Sequence, residues 1–330
     1  MSRPFLQYDV FTREPLTGNQ LAVFTDARGL DTQGMQRIAR EMNFSESTFI
    51  LPAEWAGTDI RMRIFTPMTE MPAAGHPTIG STFALAGTGV IRPGTKRFIF
   101  HLNIGPTPVD LEWEGERLSF AWMTQANPSF GPTFDDRELV AGTIGVDPGD
   151  LLPGAPAQQI SCGAPFLLVA LKDAATVDRA VSDAAAFKRF TKATGVSLPI
   201  FLFALAGRPE GRPRHETGRP EGRPRHETGR PEGRALRSVP DVVVYSRMFA
   251  PEFGIVEDPA TGIASGPLGC YLVKHGLVTA EQARAIVSDQ GVAMGRPSRI
   301  HVSIASDAGV ITDVKVGGEA VLVARGELLV

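Results

Sequence analysis

One pattern, used twice, constrains the fold more than anything else in the chain. Residues 63–86 read RIFTPMTEMPAAGHPTIGSTFALA, and residues 247–272 read RMFAPEFGIVEDPATGIASGPLGCYL. Each begins with a β-type run carrying Arg-x-Phe-x-Pro: Arg63, Phe65 and Pro67, then Arg247, Phe249 and Pro251. Each continues through a Pro- and Gly-rich loop with an acidic residue, and each ends in small and apolar residues suited to a tightly packed helix. A strand–loop–helix unit that occurs twice predicts a chain of two related halves. The two loops are where chemistry is expected, because loops held on a rigid scaffold carry most sites.

The rest of the chain arranges itself around this pair. Residues 7–11 and 21–24 read as short strands joined by a turn at 14–18. Asp31 is a helix N-cap, followed by a helix to about Met42 with Met35, Ile38, Ala39 and Met42 on one face. In NFSESTFILP (43–52), Phe49 and Leu51 fall on one face of a strand and Glu46, Thr48 and Ile50 on the other. Residues 60–66 form the strand into the first loop, and more short strands lie within 98–123. Pro, Gly and Asp dominate 126–136, which marks a boundary between halves. Helical patterning is expected at 137–144 and through most of 173–194, and a strand at 160–171. The apolar runs 198–205 and 242–249 predict neighbouring strands in one sheet. A last helix is expected around 280–287, then strands at 299–304, 311–316 and 319–325.

Composition narrows the function classes. A net charge of −3 over 330 residues gives no electrostatic reason to expect nucleic acid or an anionic membrane as partner. No apolar run approaches the ~20 residues of a membrane-spanning helix. The N-terminal MSRPFLQYDVF lacks a signal peptide's apolar region, so a cytoplasmic location is expected. The two cysteines, Cys162 and Cys270, lack CxxC or Cys/His spacing and read as buried free thiols. Between the two apolar runs, GRPEGRPRHET occupies 207–217, recurs unchanged at 218–228, and begins again at 229–234. Its eight Arg could suggest a nucleic-acid arm, but five Glu and no aromatic residue for stacking argue against one. With nothing to bury, 207–234 is expected to be a disordered loop expansion.

Three residues are candidates for chemistry. His76 sits in Ala-Ala-Gly-His-Pro, where Gly75 allows close backbone approach and Pro77 suits the first turn of a helix. The free N–H groups of such a helix start can receive an anion such as a carboxylate. Asp258, in Glu-Asp-Pro-Ala-Thr-Gly, occupies the equivalent loop. Taken alone, His76 reads first as a solvated residue at a helix end and Glu46 as a solvated strand residue, whereas Asp258 reads equally as an N-cap and as a catalytic partner. Phe44, Phe49 and Ile50 around Glu46 favour a raised pKa, and with it the capacity to take and return a proton near neutral pH. No metal-ligand spacing and no glycine-rich phosphate loop is present in the sequence, which leaves cofactor-independent acid–base chemistry.

NFSESTFIL, RIFTPMTEMPAAGHPTIGSTFALA, the strand–loop RMFAPEFGIVEDPATG, DQGVAMGRPSRIHV and VGGEAVLVARGEL together resemble the PhzF-like phenazine-biosynthesis isomerase family. The resemblance implies an α+β, diaminopimelate epimerase-like fold: two pseudo-symmetric halves, each a curled, mostly antiparallel sheet around a central helix, with the active site between them. The halves implied are 1–125, completed by the last strand at about 317–330, and 126–316. The family's phenazine enzyme isomerises trans-2,3-dihydro-3-hydroxyanthranilate without metal or organic cofactor. Its general acid/base matches Glu46, and its active-site His and Asp match His76 and Asp258. Ser45, Gly75, Gly262 and Ile263 match its substrate-binding positions, with backbone amides there holding a small carboxylate-bearing substrate. Where that enzyme has Ser, this chain has Ile263, which keeps the N–H and loses the hydroxyl. Family members pair as homodimers, and one is expected here. The alternatives are an amino-acid racemase or epimerase of the same fold, and a non-catalytic protein that binds a small carboxylate.

Overall fold

The computed structural model describes residues 2–206 and 242–329; the 207–234 repeat lies outside the described residues. The chain opens with β1 (Ser2–Val10) and β2 (Asn19–Phe24), then α1 (Thr32–Met42), β3 (Glu46–Leu51), β4 (Ile60–Phe65) and β5 (Glu70–Met71). After α2 (Gly75–Gly87) come β6 (Arg97–Leu102), β7 (Gly105–Glu114) and β8 (Arg117–Thr124). The second run begins with β9 (Ser129–Phe134), α3 (Arg137–Thr143), β10 (Ala157–Ser161) and β11 (Pro165–Ala170). It continues through α4 (Ala174–Arg179), α5 (Ala184–Thr194), β12 (Ile200–Ala206), β13 (Val242–Ala250), β14 (Ile255–Asp258) and α6 (Gly262–Lys274). The chain closes with β15 (Ile286–Gln290), β16 (Ser298–Asp307), β17 (Val310–Gly318) and β18 (Ala320–Leu329).

Strand pairing carries the duplication through the whole molecule. In the first half, β1 is antiparallel to β2, β2 parallel to β3, β3 antiparallel to β4, and β4 parallel to β6, with β7 and β8 following antiparallel. β10, β11, β12, β13, β15, β16 and β17 repeat that order and those directions. In each half the second parallel crossover contains the small-residue helix, α2 or α6. The halves join where β8 runs antiparallel to its counterpart β17. β9, which follows the first half, pairs with β10 of the second, and β18, which follows the second, pairs with β1 of the first.

The apolar patterning explains the layers. α2 is buried from Gly75 to Leu85, and α6 over nearly all of its length, so neither has the polar stripe of a surface helix. Both belong to one apolar core that spans the two halves. Their glycines serve packing: a Cβ on Gly80 would lie 2.6–2.7 Å from Leu21 and Val10, and one on Gly269 2.7–2.8 Å from Ile304 and Val302. α1 covers the outer face of the first sheet over Phe24, Phe49 and Phe65. α3, α4 and α5 cover the second. β12 therefore buries Phe201 and Phe203 against the shared core and Ile200, Leu202 and Ala204 against the outer helices, which accounts for its unbroken apolar run. It pairs with β13 as the two runs predicted. Cys162 and Cys270 are buried free thiols, with sulfurs 3.8 Å apart, well beyond the ~2.05 Å of a disulfide.

Two local expectations need correction, and two others gain detail. Residues 160–171 form a hairpin rather than one strand, because Gly163, at φ +127°, turns the chain between β10 and β11. Residues 280–287 hold a single 3-10 turn (Gln282–Arg284) before β15, as pairing with β13 and β16 overrides helical propensity. The Pro- and Gly-rich segment 126–136 contains a strand, β9, on the sheet edge where proline is tolerated. Residues 173–194 are two Asp-capped helices separated by a break at 180–183.

Candidate active site

The strand alternation read at 46–51 is what aims Glu46 inward. Phe49 points to the outer layer under α1, whereas Ile50 joins the shared core and the Thr48 hydroxyl meets Ser81 of α2 at 2.8 Å. Glu46, on the face of Thr48 and Ile50, thus lies beside the start of α2, where His76 is the second residue of the helix. Glu46 Oε2 is 3.4 Å from His76 Nε2, with side-chain exposures of 12% and 4%. Asp258 ends β14 in the other half and is 5% exposed.

A polar network ties these groups together. Asn19 Nδ2 lies 2.8 Å from Asp258 Oδ1, 2.9 Å from Ala260 O and 3.1 Å from His76 Nδ1. The Ser45 hydroxyl donates to Asp258 Oδ1 at 3.4 Å, and the Thr261 hydroxyl donates to Asp258 Oδ2. Gln290 fixes the loop from below: its Nε2 donates to Asp258 O (2.8 Å) and meets Thr261 Oγ1 (2.9 Å), while its Oε1 accepts from Thr261 N (3.0 Å). Asp258 is consequently no N-cap. The cap position is Thr261, and Asp258 accepts from that residue's hydroxyl instead of from a helix N–H.

Burial sets the ionisation states. It pushes Glu46 well above the usual carboxylate range, and the neighbouring Asp258 charge adds to the effect. It raises Asp258 to about 6 against the opposing hydrogen bonds from Thr261, Asn19 and Ser45. It lowers His76 to about 3, so the imidazole is neutral over the physiological range. A carboxyl of raised pKa beside a neutral imidazole is equipped to hold a proton and to give it back.

The two central helices meet end to end at this place. A Cβ on Gly75 would fall 2.5 Å from Ile263 N and 2.7 Å from Gly262 Cα, so only glycine permits the approach. α1, α3, α4 and α5 are each capped by an aspartate, Asp31, Asp136, Asp173 and Asp183. α2 and α6 have no side-chain cap and no acidic residue in the first turn. Their terminal N–H groups are free of the partner that the outer helices supply for themselves.

The fold thus brings Glu46, His76, Asp258 and Ser45 into one cluster, and sets Gly75, Gly262 and Ile263 together where the halves abut. Sequence reasoning missed Asn19 and Gln290. The one local signal for Asn19 was its place just after the turn at 14–18 and before an apolar strand. Gln290 gave none, being one amide at the end of a β-type run.

A two-half α+β fold with ionisable groups collected at its seam defines an epimerase-like isomerase. The phenazine biosynthesis-like protein family (PhzC-PhzF) matches residues 8–202 and 226–326, and the chain belongs to that family. It is 33% identical to a trans-2,3-dihydro-3-hydroxyanthranilate isomerase of Pseudomonas chlororaphis, over 97% of each chain. It is 31% identical to an uncharacterized isomerase of Clostridium acetobutylicum, over 98% of this chain and 97% of that one. The crystal structure of a PhzF-family phenazine biosynthesis protein of Bacillus anthracis aligns over 100% of both chains, with a TM-score of 0.80 and 26% identity. The protein is an isomerase, with the α+β, epimerase-like fold expected.

Proposed function

We propose that the protein is a cofactor-independent isomerase in which Glu46 moves a proton on a small carboxylate-bearing substrate. The observation that carries this reading is the enclosed Glu46–His76 pair, 3.4 Å apart with both charges suppressed by burial. When Glu46 ionises, its neighbours are a neutral imidazole and the carboxyl of Asp258, so the carboxylate is a strong base that readily recovers a proton. Glu46 takes a proton from one substrate carbon and returns it to another, and no net proton is consumed. His76 orients the carboxyl through Nε2, and Asp258 anchors the network from the opposite half. The uncapped starts of α2 and α6 supply N–H groups for the substrate carboxylate, which supports an anionic substrate. Ile263, half-buried at the second position of α6, offers its N–H and an apolar surface.

The test is incubation of the pure protein with trans-2,3-dihydro-3-hydroxyanthranilate in D₂O, followed by mass spectrometry of substrate and product. Conversion with deuterium incorporation is expected, with a loss of about 10³-fold or more in Glu46→Gln from removal of the acid/base. Conversion that persists unchanged in Glu46→Gln would sink the role of Glu46. Absence of both conversion and exchange in the wild-type protein would remove this substrate from the reading.

A further inference from the structure

Asn19 opens β2 and is 1% exposed. Two of its three neighbours, Asp258 Oδ1 at 2.8 Å and Ala260 O at 2.9 Å, can only accept, so they fix the amide with its NH₂ toward the site. β2 belongs to the first half, and Asp258 and Ala260 to the second. One side chain therefore crosses the seam where the ionisable groups meet, and touches His76 of its own half as well. We propose that Asn19 is a positioning residue for the isomerisation, which holds Asp258 of the second half in register with His76 and Glu46 of the first. The proposal rests on the proton-transfer reading above.

The donor inventory at Asp258 supports it. The Thr261 hydroxyl comes from the same loop, and two donors cross the seam, Asn19 at 2.8 Å and Ser45 at 3.4 Å. Asn19 is the closer of those two and the one that also secures the loop backbone, through Ala260 O. The ionisable groups around Asp258 are Glu46 from β3, His76 from α2 by way of Asn19, and Glu257 beside it on β14. Glu257 is held bidentately by Arg247 of β13, at 2.8 Å on each oxygen. Loss of the Asn19 donor removes a bond made to the ionised form of Asp258, so its carboxyl must titrate at higher pH.

The experiment labels aspartate Cγ with ¹³C, assigns Asp258 by its absence from Asp258→Asn, and follows its titration by NMR. Asn19→Leu keeps similar volume and deletes the donor. Its Asp258 midpoint should rise by about one pH unit, a tenfold change in proton affinity. Asn19→Asp is nearly isosteric, which covers the case in which the leucine variant fails to fold. It should give a two-step titration shared by the pair of carboxyls. With trans-2,3-dihydro-3-hydroxyanthranilate as substrate, both variants should lose about 10- to 100-fold in kcat with little change in KM. An Asp258 midpoint unmoved in both variants overturns the proposal, whatever the turnover. So does a moved midpoint with full kcat. A moved midpoint in a protein whose wild type neither converts the substrate nor exchanges protons upholds the Asn19–Asp258 tie and overturns the proton-transfer reading instead.

Discussion

At the scale of single residues, the site concentrates groups that folding makes harder to ionise, and this has a stability signature. Burial pushes Asp258 from 3.8, the ordinary value of its carboxyl, up to about 6 in the fold. Its proton is bound more tightly in the folded state, so its contribution to stability is present below about pH 4 and is lost as pH rises toward 6. His76, lowered from 6.5 to about 3, acts in the opposite sense: protonation below pH 6.5 favours the unfolded chain, so stability falls as pH drops toward 3. Asp258→Asn removes the first of these slopes and leaves the second. Relative to wild type, the variant should gain on the order of 2 kcal/mol between pH 4 and pH 7, whatever constant offset the lost acceptor imposes. Urea titrations of both proteins at a series of pH values measure it, and a difference that is flat with pH would refute it. The residues gathered in this cluster were only partly legible in the sequence. Glu46, His76 and Asp258 stand in distinctive loops or beside a strand with clear alternation. Asn19 and Gln290 act through partners that the fold supplies, 239 and 32 positions away, and nothing adjacent to them in the chain announces those partners.

At the scale of elements, small residues in α2 and α6 were readable as packing devices, and the end-to-end meeting of the two helices makes the strongest case. Gly75→Ala places a methyl 2.5 Å from the Ile263 amide nitrogen, and neither helix start can retreat without parting the halves. A loss of about 2–3 kcal/mol is expected, together with most of the activity. Gly142→Ala is the matched control: Gly142 is exposed in α3, and a Cβ there meets nothing within 4 Å. It should stabilise the protein by up to about 1 kcal/mol through helix propensity and leave activity intact. Thermal melts of the two variants decide the matter, and a Gly75→Ala protein with wild-type Tm would show that the helix starts have slack. Elements whose identity depends on long-range pairing were read less well. Residues 280–287 were expected to be helical, yet Ile286 and Val287 belong to β15, which lies between β13 and β16 and pairs with both. Phe11 is another such case. It adopts φ +63°, a conformation costly for a bulky side chain, and its ring fills the space over Gly262 and Gly318. A sequence pattern registers neither the strain nor the compensation.

At the scale of the molecule, duplication was legible because each half repeats its signature, but the way the halves exchange strands is a property of the whole sheet. β18 lies along the whole of β1, from Ser2 opposite Leu329 to Val10 opposite Ala320. β9 does the same service for β10, and β8 with β17 carries the sheet from one half into the other. The apolar core follows suit: Ile79 and Phe83 of α2 belong to the same cluster as Leu268 and Tyr271 of α6. Neither half can complete its edge or bury its central helix without chain that follows the other. The halves should therefore unfold together, in one calorimetric transition with a van't Hoff to calorimetric enthalpy ratio near one. Ending the chain at Gly318 deletes β18 and strips β1 of one of its two neighbours, which exposes Tyr8 and Val10 beside an unpaired edge. That truncation should lower Tm by about 10 °C or more, or leave the chain aggregated. Because Asp9, in the same strand, pairs with Arg296 of the second half at 2.8 Å, the damage should reach the seam as well and abolish turnover. Two resolved transitions in the intact protein, or a truncated chain that melts as one unit near the wild-type temperature, would show that the halves are independent and that the exchanged strands contribute little to holding the site together.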